Sequence, residues 1–114
     1  MDSLYVKYKQ ELEDSNISYI PGVGFGVWSI HEENGIYVQD VYVTPKERGK
    51  AQCFNILREC VGDAKDKDIN VKNIFTSVDT NINTINESLK VITKLGFDYY
   101  GSEGDTLYFI KEIL

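Results

Sequence analysis

The sequence predicts an α/β (α+β) chain with a mixed, mostly antiparallel central sheet flanked by helices. Three observations carry this. Residues 36–61 read IYVQDVYVTPKERGKAQCFNILRECV, an apolar period-two run that proline closes and that a glycine turn and a helical pattern follow. Residues 73–78, NIFTSV, form a buried strand just beyond that helix, so the helix serves as the crossover of a parallel pair. Turn signals at Glu33-Asn34-Gly35 and at Ser102-Glu103-Gly104-Asp105 mark hairpins, which make the rest of the sheet antiparallel.

In chain order, Leu4, Tyr5, Tyr8 and Leu12 recur near helical spacing behind Ser3 as N-cap, giving a short amphipathic helix over 3–14. Ile17 to Ile20 form a brief strand, closed by Pro21-Gly22. Gly22, Gly24 and Gly26 then alternate with Val23, Phe25 and Val27. No helix follows this G-x-G-x-G run, because Val27-Trp28-Ser29-Ile30 continue as strand. It reads as a strand with one bare face, open to a bulge or to close packing, and not as a nucleotide loop. Asn34-Gly35 suits a primed turn joining strand 23–31 to strand 36–43. In the second of these, Ile36, Val38 and Tyr42 alternate with Tyr37, Val41 and Val43, and Pro45 stops the ladder by removing a donor.

The helix from about Ala51 buries Phe54, Leu57, Cys60 and Val61. Gly62 costs it about 1 kcal/mol and either ends it or lets it run to about Lys67. Asp63 to Asp68 is a solvated charge run, and Asp79 to Asn83 is a loop and capping region. A second helix follows, with Ile85, Leu89, Ile92 and Leu95 inside and Gly96 as its C-cap. Strands 97–100 and 106–113 close the chain as a hairpin.

With 114 residues, 42% hydrophobic and 12% aromatic, the chain is expected to fold as a single domain over 1–114 around one core. A net charge of -6 argues against neutralising nucleic-acid phosphates, and suits solubility or a cationic substrate. No apolar run approaches the ~20 residues that span a bilayer. The start, Met1-Asp2-Ser3, lacks the basic-then-apolar layout of a signal peptide. The expectation is a cytoplasmic protein with no nucleic-acid and no membrane partner. Cys53 and Cys60 lie two turns apart on one helix, about 10 Å between Cα atoms, which is beyond disulfide reach. They share a face with Leu57 and Ala64 and read as core. The sole histidine, His31, stands beside Glu32 and Glu33 in a hairpin, where a solvated turn residue is expected and not a catalytic base or a ligand. No metal site is expected.

The turn Lys46-Glu47-Arg48-Gly49-Lys50 aims free backbone N–H groups and the positive end of a helix at one point, which is an anion cradle. Taken alone, it reads as an ordinary strand-to-helix loop. Its neighbours change the reading. Val43-Thr44-Pro45 followed by Lys46-Glu47-Arg48-Gly49-Lys50-Ala51 resembles the V-x-P strand end and Q/R-x-x-G-x-G/A turn of the GCN5-related N-acetyltransferase (GNAT) family. Gly49 and Ala51 fit, Lys46 stands where Gln or Arg is usual, and Cys53 stands where a further glycine is common. Downstream, Ser88 to Phe97 (SLKVITKLGF) is similar to the helix and K-L-G-F ending that the family carries after its fifth strand. The resemblance spans roughly residues 23–113.

The resemblance implies a GNAT-like sheet that holds acetyl-CoA as acyl donor and passes the acetyl group to a primary amine, on a small molecule or a protein lysine, by direct attack. It implies that strands 36–43 and 73–78 splay at their C-terminal ends, with a bulge near Asp40. Backbone groups of Val41 and Val43 would then pair with the pantetheine arm, and an amide in this strand would polarise the thioester. Arg48, Gly49, Lys50, Ala51, Gln52 and Cys53 would form the cofactor-binding turn.

Asp40 is the candidate base, a carboxylate in an apolar and aromatic strand; a primary amine of pKa ~10.4 must lose its proton to react. Gln39-Asp40 is similar to the Glu-Asp pair of diamine acetyltransferases, with one carboxylate absent. A structural carboxylate at a strand bulge is an equal reading of Asp40. The tyrosine that protonates the leaving thiolate in many relatives corresponds to Ile92, and the sequence does not select among Tyr99, Tyr100 and Ser88 as a replacement. A thiol of pKa ~8.5 leaves readily as thiolate, so an acid helps without being indispensable. Relatives usually begin with another strand and two helices, so the resemblance implies a shortened N-terminal part and an open acceptor side. A partner subunit in a homodimer, or the target protein, would complete it. The alternative is a catalytically inert GNAT-fold binding or regulatory module.

Overall fold

The computed structural model describes residues 15–31 and 34–113. The helix expected over 3–14, and Glu33 of the first hairpin, lie outside them. Among the described residues, six strands form one sheet: β1 (Asn16–Ile20), β2 (Gly24–His31), β3 (Gly35–Val43), β4 (Asn73–Asp79), β5 (Asp98–Glu103) and β6 (Thr106–Glu112), in the order β1-β2-β3-β4-β6-β5. Only β3 and β4 run parallel, as the intervening helix α1 (Gln52–Asp66) requires. A second helix, α2 (Ile85–Lys94), links β4 to β5. The mixed, mostly antiparallel sheet is as expected.

The period-two assignment of β3 is corrected by a bulge. Val27 lies opposite Asp40 and Trp28 opposite Val38, so Gln39 is an extra residue on β3. A bulge reverses the alternation beyond it. Ile36 and Val38 face the core, and past the bulge Val41 and Val43 take over that face. Tyr42 is left on the other side, where its ring stacks on Phe25 at 5.5 Å. Asp40 shares that second face, two residues before Tyr42.

The glycines of β2 do what a bare face allows. A Cβ at Gly26 would stand 2.6 Å from Cys60 Sγ, and one at Gly24 would stand 1.9 Å from the Tyr42 carbonyl oxygen and 3.1 Å from Ile56 Cδ1. α1 therefore lies hard against β2, with Ile56, Leu57, Cys60 and Ala64 buried. The expected pattern is corrected here: Ile56 takes the inward position, Val61 is half-buried, and Phe54 is 44% exposed. Close approach on the glycine side rolls the helix toward Ile56 and lifts Phe54 away from the sheet. Gly62 does not end the helix, which runs to Asp66 with Lys67 as C-cap.

α2 packs Ile85, Leu89, Ile92 and Leu95 against the core, as its spacing predicts. Phe97 N–H donates to Ile92 O and Gly96 N–H to Thr93 O, the paired bonds of a Schellman stop with Gly96 at φ +87°. The first hairpin is not a primed Asn-Gly turn. Of the Asn34-Gly35 pair only Asn34 takes positive φ (56°), and Gly35 already pairs with His31 inside β3. The last hairpin is tighter than expected, since Ser102 and Glu103 belong to β5 and Gly104-Asp105 alone make the turn.

Candidate functional site

The site follows from a seam that closes over part of its length. β3 and β4 pair only as Gly35–Asn73, Ile36–Ile74 and Tyr37–Phe75. Beyond these, the Thr76 hydroxyl donates to Val38 O at 3.0 Å, the Tyr37 and Ser77 hydroxyls bond to each other, and the strands part. The splay and the bulge beside Asp40 are both as expected.

Between the parted strands lies a cleft of about 440 Å³. β3 lines it with Val38, Gln39, Asp40 and Val41, and β4 with Thr76, Ser77 and Val78. α2 adds a helical stripe that includes Thr84, Glu87, Ser88, Val91 and Ile92. Cys53 and Leu57 of α1 close the remaining side. A second cavity of about 550 Å³ lies against the turn, lined by Val43, Glu47, Arg48, Gly49, Ala51 and Gln52 among others. The two cavities share Cys53, Val91 and Leu95, so they form one groove running from the turn into the splay.

Backbone direction explains what the groove offers. Thr44 N–H donates to Val23 O at 2.7 Å, so Tyr42 and Asp40, at even steps back along β3, also turn their backbone groups to β2. Val41 and Val43 turn theirs the other way, into the groove. The Val43 carbonyl is engaged there: Arg48 Nε donates to it at 2.9 Å, with the guanidinium 5.7 Å from the Tyr42 ring centre.

At the turn, Gly49 (φ +79°) and Ala51 (φ +58°) both adopt the left-handed conformation, and Ala51 is the N-cap of α1. A Cβ on Gly49 would meet nothing within 4 Å, so its backbone faces open space. No side chain caps α1, and the first N–H groups of a helix have no partner within it. Lys50 donates to Glu47 at 3.0 Å, as does Gln52 Nε2, and the Lys50 bond holds the Glu47 carboxyl below the usual range. Arg48 and Lys50 thus already serve the turn itself, and the free anion-binding groups are backbone amides.

Other expected residues fall out as follows. Asp40 is half-buried at the cleft wall. Cys60 is fully buried, which pushes its thiol up to about 12. Cys53 is corrected from core to groove, where it is half-buried and its thiol is raised by desolvation. His31 stacks on Phe75 at 3.8 Å, away from the groove. Of the three candidate acids, Ser88 lines the cleft, and Tyr99 and Tyr100 do not. Ile92, the position at which the resemblance implied an acid, lines it as well. Sequence reasoning missed Glu87, Thr76 and Ser77. The signals were present, in two hydroxyl residues inside the otherwise apolar strand NIFTSV and in Glu87 one turn before Val91.

No protein-family profile matches this sequence, and no curated protein matches it at a significant level. Solved structures do match in fold. A protein described as an acetyltransferase of the GNAT family, from Desulfovibrio desulfuricans, superposes with a TM-score of 0.63 at 14% identity, covering 79% of this chain and 60% of its own. A protein described as a streptothricin acetyltransferase, from Bacillus anthracis and in complex with acetyl coenzyme A, gives 0.61 at 21%, covering 80% and 56%. PaiA N-acetyltransferase from Thermoplasma acidophilum, in complex with coenzyme A, gives 0.65 at 15%, covering 99% and 80%. This chain has the GNAT fold, and it spans less than two thirds of the length of the first two of these proteins.

Proposed function

We propose that this chain binds acetyl-CoA in the groove between β3 and β4 and transfers the acetyl group to a primary amine. One observation carries the reading: the parallel seam opens after three residue pairs, and the groove from that opening reaches the uncapped start of α1. The coenzyme-bound state of two proteins of the same fold supports it. In this reading, the first amides of α1 and the turn at Gly49 and Ala51 hold the pyrophosphate. The groove-facing backbone of Val41 and Val43 holds the pantetheine, and Arg48 releases the Val43 carbonyl when the arm enters. A β3 amide stabilises the oxyanion as the amine nitrogen bonds to the thioester carbon.

Asp40 stands on the wall of the splay, at the inner end of the groove. There it meets the acceptor and takes the ammonium proton before attack. The C–S bond then breaks and sulfur leaves as thiolate, while solvent takes the second proton of the attacking nitrogen and protonates the thiolate. The acceptor is a small amine or a protein lysine, the protein is cytoplasmic, and a homodimer or the target itself covers the acceptor side.

Ile92 at the cleft wall favours a second reading, in which the groove binds acyl-CoA without catalysis. Calorimetric titration with acetyl-CoA tests the shared premise, with stoichiometric binding as the expected result. Absence of binding would sink both readings. Binding without acetyl transfer to any of a panel of amines and lysine peptides would leave the second.

A further inference from the structure

Beside the donor groove, with Phe54 and Leu57 between the two, α1 and the sheet border a third cavity of about 480 Å³, within the range that holds a bound side chain or small ligand. Its floor is apolar, with Leu57, Val61, Ile74 and Ile113. Its rim carries three cations, Arg58 and Lys65 from α1 and Lys111 from β6, against one carboxylate, Glu112 of β6. Such a rim is unusual for a chain of net charge -6. The side chain of Phe54, 44% exposed, stands at the edge with Arg58 5.9 Å and Lys111 5.6 Å from its ring centre. Lys111 also donates to the Leu95 carbonyl. Neither Arg58 nor Lys65 forms an ion pair with a described residue.

We propose that this cavity is a docking site for an acidic peptide segment carrying one large apolar side chain. The apolar residue fills the floor and its flanking carboxylates meet the rim. Spacing selects a peptide over a single lipophilic acid. Arg58 and Lys65 are two helical turns apart, about 10 Å along α1, so one carboxylate reaches only one of them. An extended peptide advances about 3.3 Å per residue and sets carboxylates on both sides of an anchor at that distance. Charge-assisted contacts at the rim give orientation, and burial of the anchor gives most of the affinity.

The test uses the full chain and a fluorescein-labelled pentapeptide with leucine between two pairs of glutamates, read by anisotropy. The expected result is saturable binding that weakens about tenfold in Arg58→Glu and in Lys65→Glu. Binding should also weaken when the leucine is replaced by serine, and should hold in Lys90→Glu, which changes an exposed cation elsewhere. All three altered positions are exposed, and unchanged thermal melting confirms that the variants are folded. Equal loss in Lys90→Glu would reduce the effect to general charge and overturn the proposal. So would binding of decanoate in place of the peptide, or no peptide binding at all.

Discussion

β3 meets its two neighbours on different terms. Against β2 it forms eight residue pairs with one bulge; against β4 it forms three and then leaves. The β2 seam is covered by α1 so closely that two glycines are needed beneath Ile56 and Cys60. The β4 seam is covered at a distance by the half-buried stripe of α2, and its walls carry Asp40, Thr76, Ser77 and Glu87. Each ladder bond given up along the open edge forgoes about 1 kcal/mol, because water substitutes for most of it. The same strand thus supplies rigidity on one side and an open, addressable backbone edge on the other. The bulge at Gln39 lets it do both, since it turns Val41 and Val43 toward the helices and leaves Asp40 facing away.

The largest effect is expected at Asp40, on the open seam. Asp40→Asn should keep acetyl-CoA affinity and lower turnover by roughly two to four orders of magnitude, the usual size of a general-base contribution. The deficit should shrink as pH rises, because more of the amine is then already neutral. A folded variant with an unaltered pH–rate profile would remove Asp40 from the mechanism and return it to a structural role at the bulge.

Next in size is Gly49→Glu. A carboxylate at the turn repels the pyrophosphate, and affinity for acetyl-CoA should fall by roughly a hundredfold, a few kcal/mol at an anion site. Gly49→Ala separates charge from backbone strain. At φ +79° a Cβ costs about 1 kcal/mol of stability, yet open space surrounds it, so binding should survive. Equal loss in both variants would place the effect in the backbone and not in the charge.

On the closed seam the effect should appear in stability. Gly24→Ala drives a Cβ into the Tyr42 carbonyl and against Ile56, and should cost about 3 kcal/mol by thermal or urea unfolding. Acetyl-CoA should then raise the variant's melting temperature by as much as it raises that of the wild type. A failure to do so would show that the two seams are coupled.

The smallest effect separates the two cysteines. The folded Cys60 thiol is raised from 9.0 to about 12 by burial, so the native state holds that proton more tightly than the unfolded chain. Its contribution to stability is complete below pH 9 and is lost progressively as pH rises from about 9 toward about 12. The fall of melting temperature over that range should be shallower in Cys60→Ala than in wild type. Cys53, raised but half-buried in the groove, should react with iodoacetamide in the native state where Cys60 does not. Acetyl-CoA should protect it.

Much of this molecule is decided by residues close together in the sequence. Strand and helix identities follow from apolar period, and their limits from Pro45, Gly96 and the Gly104 turn, because each depends on backbone preferences over a few residues. The crossover from β3 to β4, and the turn at Gly49, were legible for the same reason. The face of β3 beyond Gln39 was not, since a one-residue bulge reverses alternation and only the partner strand fixes where it falls. Nor was the roll of α1. Whether Ile56 or Phe54 points inward depends on how near Gly24 and Gly26 let the helix come, a contact between residues some 30 positions apart. Membership of the cleft was the least legible, because Glu87, Thr76 and Cys53 become neighbours only once two strands separate and two helices lie across the gap. Local chemistry wrote the order of elements, and long-range packing decided which side chains face the open seam.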